Sequence, residues 1–379
     1  MRTASTISAF CFLGASSTAP AQVSFAPVGQ FHHGGYSYTT SLSPDGNHAA
    51  GYASNLAGNT ESVRWTRAQG LTGLGMPATI SFSAAQAITN SGVVVGYNQS
   101  LSQNRYFAYR WTEGAGFQDL GDLPGGSRNN LSMAVSDDGA TVIGYGNYAS
   151  SVAQGFVWTQ AAGIRGIGDL PGGSFFSQAS GVSGDGRVVV GGSSNSVDWD
   201  AFRWTESEGI QPLGYLSGGT YSHAYDASFD GSVIVGGSFG AGGGEAFRWT
   251  TAGMIGLGDL PGGTHGSTAF AVSNDGSVIV GRSSTGEGFD GNEAFVWDAT
   301  NGMRNLRLVL EQAGLDLTGW VLTSAESVSA DGTVIAGHGT NPAGLLEGWV
   351  AVIPAPGVLV LFGGALCVVC PTRRSRAAV

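Results

Sequence analysis

The sequence predicts an all-β fold, a seven-bladed β-propeller of four-stranded repeats about 46 residues long, and three observations predict it. A Trp closes an A-F-x-W-type element at Trp65, Trp111, Trp158, Trp204, Trp249, Trp297 and Trp349, at intervals of 45 to 52 residues. An Asp-Gly pair recurs at Asp45-Gly46, Asp138-Gly139, Asp185-Gly186, Asp230-Gly231, Asp275-Gly276 and Asp331-Gly332, with Asn90-Ser91-Gly92 as a weaker copy. An L-G-D-L-P-G-G element follows the Trp at Leu74, Leu120, Ile167, Leu213 and Leu257, degraded at Leu306-Arg307. Periods of about 40–50 residues made of short strands indicate propeller blades.

The copy around residues 254–297 shows how each element is read. The S-x-A-x-x-V-S segment is the first strand. Asp275-Gly276 suits a tight hairpin, because Gly tolerates positive φ and Asp bonds its own backbone. Val278-Ile279-Val280-Gly281 is the second strand, apolar on both faces as a sheet covered on both sides requires. Phe295 and Trp297, two apart on the third strand, project from one face. The G-L-G-D-L segment is expected to be the fourth strand. Only Leu308–Leu317 carries a helical period.

The chain ends complete the count. Trp349 lies on a third strand that no repeat-like fourth strand follows, and Phe25–Phe31 reads as a fourth strand without a third before it. Pairing the N-terminal strand with the C-terminal blade would close the ring and hide its open edges.

Composition narrows the function. At 379 residues and 42% hydrophobic content the chain can bury a large core, and its repeat makes that core one domain. All 16 basic residues are Arg, the net charge is −11, and four of the arginines fall in the terminal segments. So acidic a body repels phosphate backbones, which argues against nucleic acid as a partner. Cys11, Cys367 and Cys370 lie outside the repeats, leaving the propeller no disulfide framework and no Cys-based metal site. The six His are scattered without metal spacing, and the single carboxylate in each Asp-Gly turn suits turn chemistry better than Ca²⁺. No cofactor and no metal is expected, and the body is read as a monomer.

Residues 1–21 read as a secretory signal: Arg2, an apolar core over Ile7–Gly14, and Ala19-Pro20-Ala21 as the cleavage site. The propeller then spans 22–353, and 354–379 forms a sorting tail or membrane anchor: Pro354-Ala355-Pro356, an apolar run Gly357–Cys370, then Arg373, Arg374 and Arg376. Fourteen residues in a helix reach only about 21 Å, short of a hydrocarbon core, yet the Arg cluster fits a cytoplasmic stop. The tail resembles the PEP-CTERM sorting signal of bacterial exported proteins, with Ala355 where that motif has Glu. The resemblance implies an exosortase-like membrane protease as a processing partner. Residues 60–350 also resemble the bacterial extracellular HAF-repeat family, through L-G-D-L-P-G-G, S-x-A-x-x-V-S-x-D-G-x-V-I-V-G and A-F-R-W-T. That resemblance implies a surface or extracellular address and no particular activity.

Candidate ligand contacts follow from where the copies differ. In an up-and-down blade the second–third loops and the connectors between blades share one face, and here those loops vary most. Binding residues favour loops on a rigid scaffold. The candidates are Arg105, Tyr106, Asp198, Trp199, Asp200, Glu287, Phe289 and Asp290, with His223 and His265 from the connectors around the channel mouth. Aromatics beside carboxylates and amides suit sugar rings and their hydroxyls. The repeated Trp is read as a packing wedge between blades. No nucleophile elbow, P-loop or HExxH motif occurs, and Asp226 near His223 is the clearest acid on an inner strand. The reading is an exported, non-catalytic binding module for polysaccharide or a surface protein. A structural coat protein and a carbohydrate-active enzyme using the channel stand as alternatives.

Overall fold

The computed structural model describes residues 22–31, 34–102, 105–127, 129–148, 152–262, 266–285 and 291–354. The strands form three sheets of four and two of eight. Each eight-stranded sheet is two four-stranded antiparallel meanders joined by one parallel pair, Thr60↔Phe82 in one and Trp199↔Tyr221 in the other. The meanders are numbered here by their first strands: Ser37–Leu42, Ile80–Ile88, Asn130–Val135, Gly172–Val182, Tyr221–Ala227, Ser267–Val272 and Val321–Val328. Each first strand contacts the next in order, and Val321–Val328 contacts Ser37–Leu42.

The sixth meander shows why these residues fold so. Ser273 Oγ donates to Asp275 Oδ1 at 2.7 Å and accepts from Val278 N at 3.0 Å, while Asp275 Oδ1 also takes Ser277 N at 2.9 Å. These bonds are the turn chemistry expected of the repeated Asp, and they recur at Asp45, Asp138, Asp185, Asp230 and Asp331. Gly276 sits at φ +73°, where a Cβ would also press on Val233 of the fifth meander. Gly46 meets Val334 in the same way, so the last and first meanders touch as internal neighbours do.

On the second strand Val278 and Val280 are buried. A Cβ on Gly281 would collide with the Thr268 carbonyl and come within 2.9 Å of the Phe295 ring, which fills that space from the third strand. Phe295 and Trp297 enter one cluster with Val233, Val235 and Leu260, so the apolar cores lie between sheets rather than within one. Each buried Phe or Val contributes about 1.5–3 kcal/mol.

Most fourth strands are shorter than expected, Gly209–Gly214 being the exception. Gly253–Gly256 ends before L-G-D-L begins. Leu257 N still reaches Ala246 O at 2.8 Å, but Gly258 at φ +78° turns the chain off the sheet edge. Leu260 N then donates to Ser283 Oγ of the next meander at 3.0 Å. The motif is therefore a connector. In the sixth meander the opening Ser locks it: Ser267 Oγ accepts from Ala246 N at 2.9 Å and donates to Gly258 O at 2.8 Å. Ser177 and Ser222 repeat the clamp, and Ser37 takes Gly348 N at 3.2 Å across the seam between the last meander and the first.

At that seam Ser24–Pro27 pairs antiparallel with Leu346–Val352, Pro27 opposite Trp349. The pairing is a little shorter than the stretch 25–31 read from the sequence. The helix runs Leu306–Gln312, earlier than its apolar period, because the Asn305 side chain accepts Leu308 N and starts it there. No helix among the described residues is long and apolar enough to cross a membrane.

Candidate ligand-binding mouth

Strand direction sets two ends. The first–second hairpins gather at one, the second–third loops and the connectors at the other. At the hairpin end a backbone collar runs from meander to meander: Asp137 N to Gly184 O, Asp185 N to Phe229 O, Phe229 N to Asn274 O, Asn274 N to Ala330 O, and Ala330 N to Pro44 O, all at 2.7–3.1 Å. Asp45 N continues it to Asn90 Oδ1 at 2.9 Å. A well of about 130 Å³ stands above it, lined by Ser41, Asp137, Asp226, Asn274 and Ser327 among others. Asp226 accepts Ala227 N at 2.8 Å and Val272 N at 3.0 Å, and burial pushes its carboxyl up to about 7, with Asp137 adding to the shift. Asp137 accepts Asn274 Nδ2 at 3.0 Å. Asp226 belongs to this narrow end. His223, its expected neighbour, belongs to the other.

The loop end is aromatic. One arc crosses the seventh, first and second meanders: His338 stacks on Tyr38 (3.8 Å), Tyr38 on Tyr52 (5.0 Å), Tyr52 meets Phe82 (6.3 Å), Phe82 stacks on Tyr97 (6.0 Å), and Tyr106 stands edge-on to Tyr97 (5.5 Å). A second arc crosses the fourth to sixth: Phe176 on Trp199 (5.3 Å), His223 against Tyr225 (4.7 Å), Tyr225 edge-on to Phe270 (5.4 Å), and the exposed Arg282 over Phe270 (5.3 Å). Trp199 Nε1 donates to His223 Nδ1 at 3.0 Å and joins the arc's two halves.

Burial pushes the phenols of Tyr38, Tyr52, Tyr97, Tyr145 and Tyr225 up, so all are neutral donors at pH 7. Among the described residues none of these five hydroxyls has a hydrogen-bond partner in the protein. Burial also holds His223 and His338 at about 4, hence neutral, and pushes the Glu326 carboxyl up. Glu326 Oε1 lies 3.3 Å from His338 Nδ1, a distance without the alignment of a hydrogen bond, since that nitrogen is left without a partner. Among the described residues the strand positions of the mouth combine aromatic rings, neutral donors, the Glu326 carboxyl and the Arg282 guanidinium.

The residues expected from the sequence divide. Tyr106 and Trp199 lie on the arcs, at the starts of the third strands Tyr106–Thr112 and Trp199–Thr205. Arg105 and Asp198 are exposed beside them. His223 is not on a connector: it is buried in Tyr221–Ala227, between Trp199 and Ser180 Oγ, which lies 2.8 Å from its Nε2. Asp200 is a correction of another kind. It is buried, accepts Gly214 N at 3.0 Å, and holds a connector in place. His265, Glu287, Phe289 and Asp290 fall outside the described residues, as do Ala355, Pro356, Arg373, Arg374 and Arg376. Pro354 is the last described residue.

Missed altogether were Tyr38, Tyr52, Tyr97, Tyr145, Tyr225, Arg282, Glu326 and His338. Their signal lay in the strands. The residue after the Gly of V-I-V-G is Tyr52, Tyr97, Tyr145, Gly192, Gly237, Arg282 or His338 in successive copies, as variable as any loop. Opposite each stands a first-strand residue, Tyr38 facing Tyr52 and His223 facing Gly237. One step further on, every first strand breaks register, between Thr39 and Ser41 in the first meander and between Ala325 and Ser327 in the seventh. Tyr225, Phe270 and Glu326 are the residues skipped at these bulges.

No protein-family model matches the chain, and no curated protein matches it. Solved structures do. The β-propeller domain of the Trilobed protease from Pyrococcus furiosus is similar at a TM-score of 0.51 and 10% identity, over 83% of this chain and 95% of that one. Prolyl endopeptidase structures reach 0.54 at 11% identity, over 85% of this chain and 50% of theirs. Puromycin hydrolase reaches 0.53 at 13%, over 82% of this chain and 51% of its own. This chain thus spans about half of those two enzymes. At such identities the likeness is one of fold alone, and that fold is the β-propeller.

Proposed function

We propose that the chain is an exported, seven-bladed propeller whose loop-end mouth binds an extracellular polysaccharide or surface protein without catalysis. Seven first strands in contact in order, with the last-to-first seam repeating the Ser clamp and the Gly–Val contact of the internal junctions, support the count and the closure. The observation that carries the binding reading is the set of five phenol hydroxyls with no partner in the protein, framed by ring faces. None of these oxygens is sealed from solvent, so a ligand can take each over from water as a pre-placed donor. Leu56, Leu101 and Val197, exposed on three second–third loops, extend the contact surface outward.

Export rests on the signal-like residues 1–21 and on the tail 354–379 with its exosortase-like processing partner. The fold gives this address a consequence. The last third strand ends at Val352 at the hairpin end, and Ser24–Pro27 lies beside it. A tail seated in a membrane would turn the mouth outward. Against an enzyme, both Asp226 oxygens take backbone N–H groups at the narrow end. The test is binding of the full chain to polysaccharide and surface proteins from an exporting bacterium. Trp199→Ala or Tyr106→Ala should weaken capture about tenfold. Unchanged capture in both variants refutes the mouth as the site, and no capture at all leaves a coat role.

A further inference from the structure

We propose that the mouth takes an acidic sugar chain, a uronic-acid-containing oligosaccharide, with a carboxylate on Arg282 and successive sugar rings along the Tyr38–Tyr106 arc. The inference rests on the binding reading above and names its ligand class. Arg282 and the exposed Arg105 beside Tyr106 carry the full positive charges among the described mouth residues, since both histidines there are neutral at pH 7. Arg282 makes no ion pair among the described residues, and its guanidinium carbon lies over Phe270, 5.3 Å from the ring centre. A guanidinium packed on an aromatic ring and free of an ion pair can bond a carboxylate through two N–H groups. Glu326 is near enough to feel Arg282 but does not bond it.

The rest of the mouth fits a polyol. Ring centres from Tyr38 through Tyr52, Phe82 and Tyr97 to Tyr106 are 5.0–6.3 Å apart, a spacing comparable to the repeat of a pyranose chain. Tyr38 is stacked between His338 and Tyr52, so the arc meets a ligand with ring edges and hydroxyls, and the unpartnered hydroxyls suit sugar hydroxyls. Glu326 supplies an acceptor.

The experiment is calorimetric titration of the full chain with a galacturonate tetrasaccharide and with its carboxyl-reduced, neutral counterpart. The acidic sugar should bind about tenfold tighter, an advantage lost in Arg282→Gln and reduced by salt. Tyr52→Phe and Tyr97→Phe should weaken both sugars several-fold. Arg282 is exposed, so its variant should melt like the parent, and a matching melting curve verifies this. Equal affinity for both sugars, or an advantage that survives Arg282→Gln, overturns the acidic assignment while leaving the binding reading intact. Displacement by a peptide with a free C-terminus, or failure of both sugars beside captured surface protein, overturns the sugar class. Failure of both sugars beside failure of the whole capture experiment overturns the binding reading itself.

Discussion

Phe25→Ala tests the closing seam. Phe25 lies edge-on to Trp320 at 5.1 Å and tilted on Trp349 at 6.1 Å, and it packs on the cluster that contains Leu306, Leu310 and Ile335. Truncating a fully buried Phe costs about 3–5 kcal/mol. Phe25 is half-buried, so about half of that, roughly 2 kcal/mol, is expected. If the ring melts as one unit, the loss appears in the whole transition. With a urea slope of about 2–3 kcal/mol/M the midpoint should fall by roughly 1 M, with the slope unchanged. The assay is urea denaturation followed by Trp fluorescence, with the seven repeat Trp reporting from every meander. An unmoved midpoint would refute the claim that the N-terminal strand holds the ring. So would a separate early transition confined to the seventh meander.

Three further outcomes follow from the same contacts. Gly281→Ala puts a methyl into the Thr268 carbonyl and the Phe295 ring, and should cost several kcal/mol, read as a lower melting temperature or loss of soluble protein. Asp275→Ala removes the oxygen that accepts Ser273 Oγ and Ser277 N, and should cost about 1–2 kcal/mol by urea denaturation, with chelators changing neither parent nor variant. Asp226 titrates at about 7 in the folded chain against an ordinary 3.8, so the folded state holds the extra proton between those values. Stability from this group is therefore full below about pH 4 and lost as pH rises through about 7. Asp226→Asn should narrow the stability difference between pH 5 and pH 8, and an unchanged difference would show the carboxyl ionised throughout.

What the sequence revealed was whatever the repeat enforces by local chemistry. Asp-Gly turns, the V-I-V-G strand under its aromatic, and the pairing of Ser24–Pro27 with the Trp349 strand are each fixed by sterics or hydrogen bonds that recur copy by copy. The fourth strand was overestimated because Leu257 looks like one more strand residue, and only the positive φ of Gly258 reveals the exit from the sheet. The site was half legible. Tyr106 and Trp199 stood out because they border variable loops. Tyr52 and Arg282 did not, because they sit next to the most regular stretch of the repeat. Which strand residues face the mouth depends on how neighbouring sheets meet, and that is not a property of one repeat.

The same reasoning explains how a set of near-identical repeats can carry an asymmetric site. Positions that hold neighbours together cannot vary: Gly281 has no room for a Cβ, and Ser267 bonds two backbone groups at once. The residue after the Gly bears no such duty. On the fourth meander it is Gly192, and the space it leaves is taken by the Trp199 indole, which reaches across to His223 of the fifth. On the first three meanders it is Tyr. A side chain on a paired strand has fewer ways to move than one on a loop, so contacts built there are pre-organised. Exchanging Gly192 for Ala should therefore displace Trp199 and weaken ligand capture while leaving the Tyr arc in place. A Gly192→Ala chain that binds like the parent would show that the second arc contributes nothing to recognition.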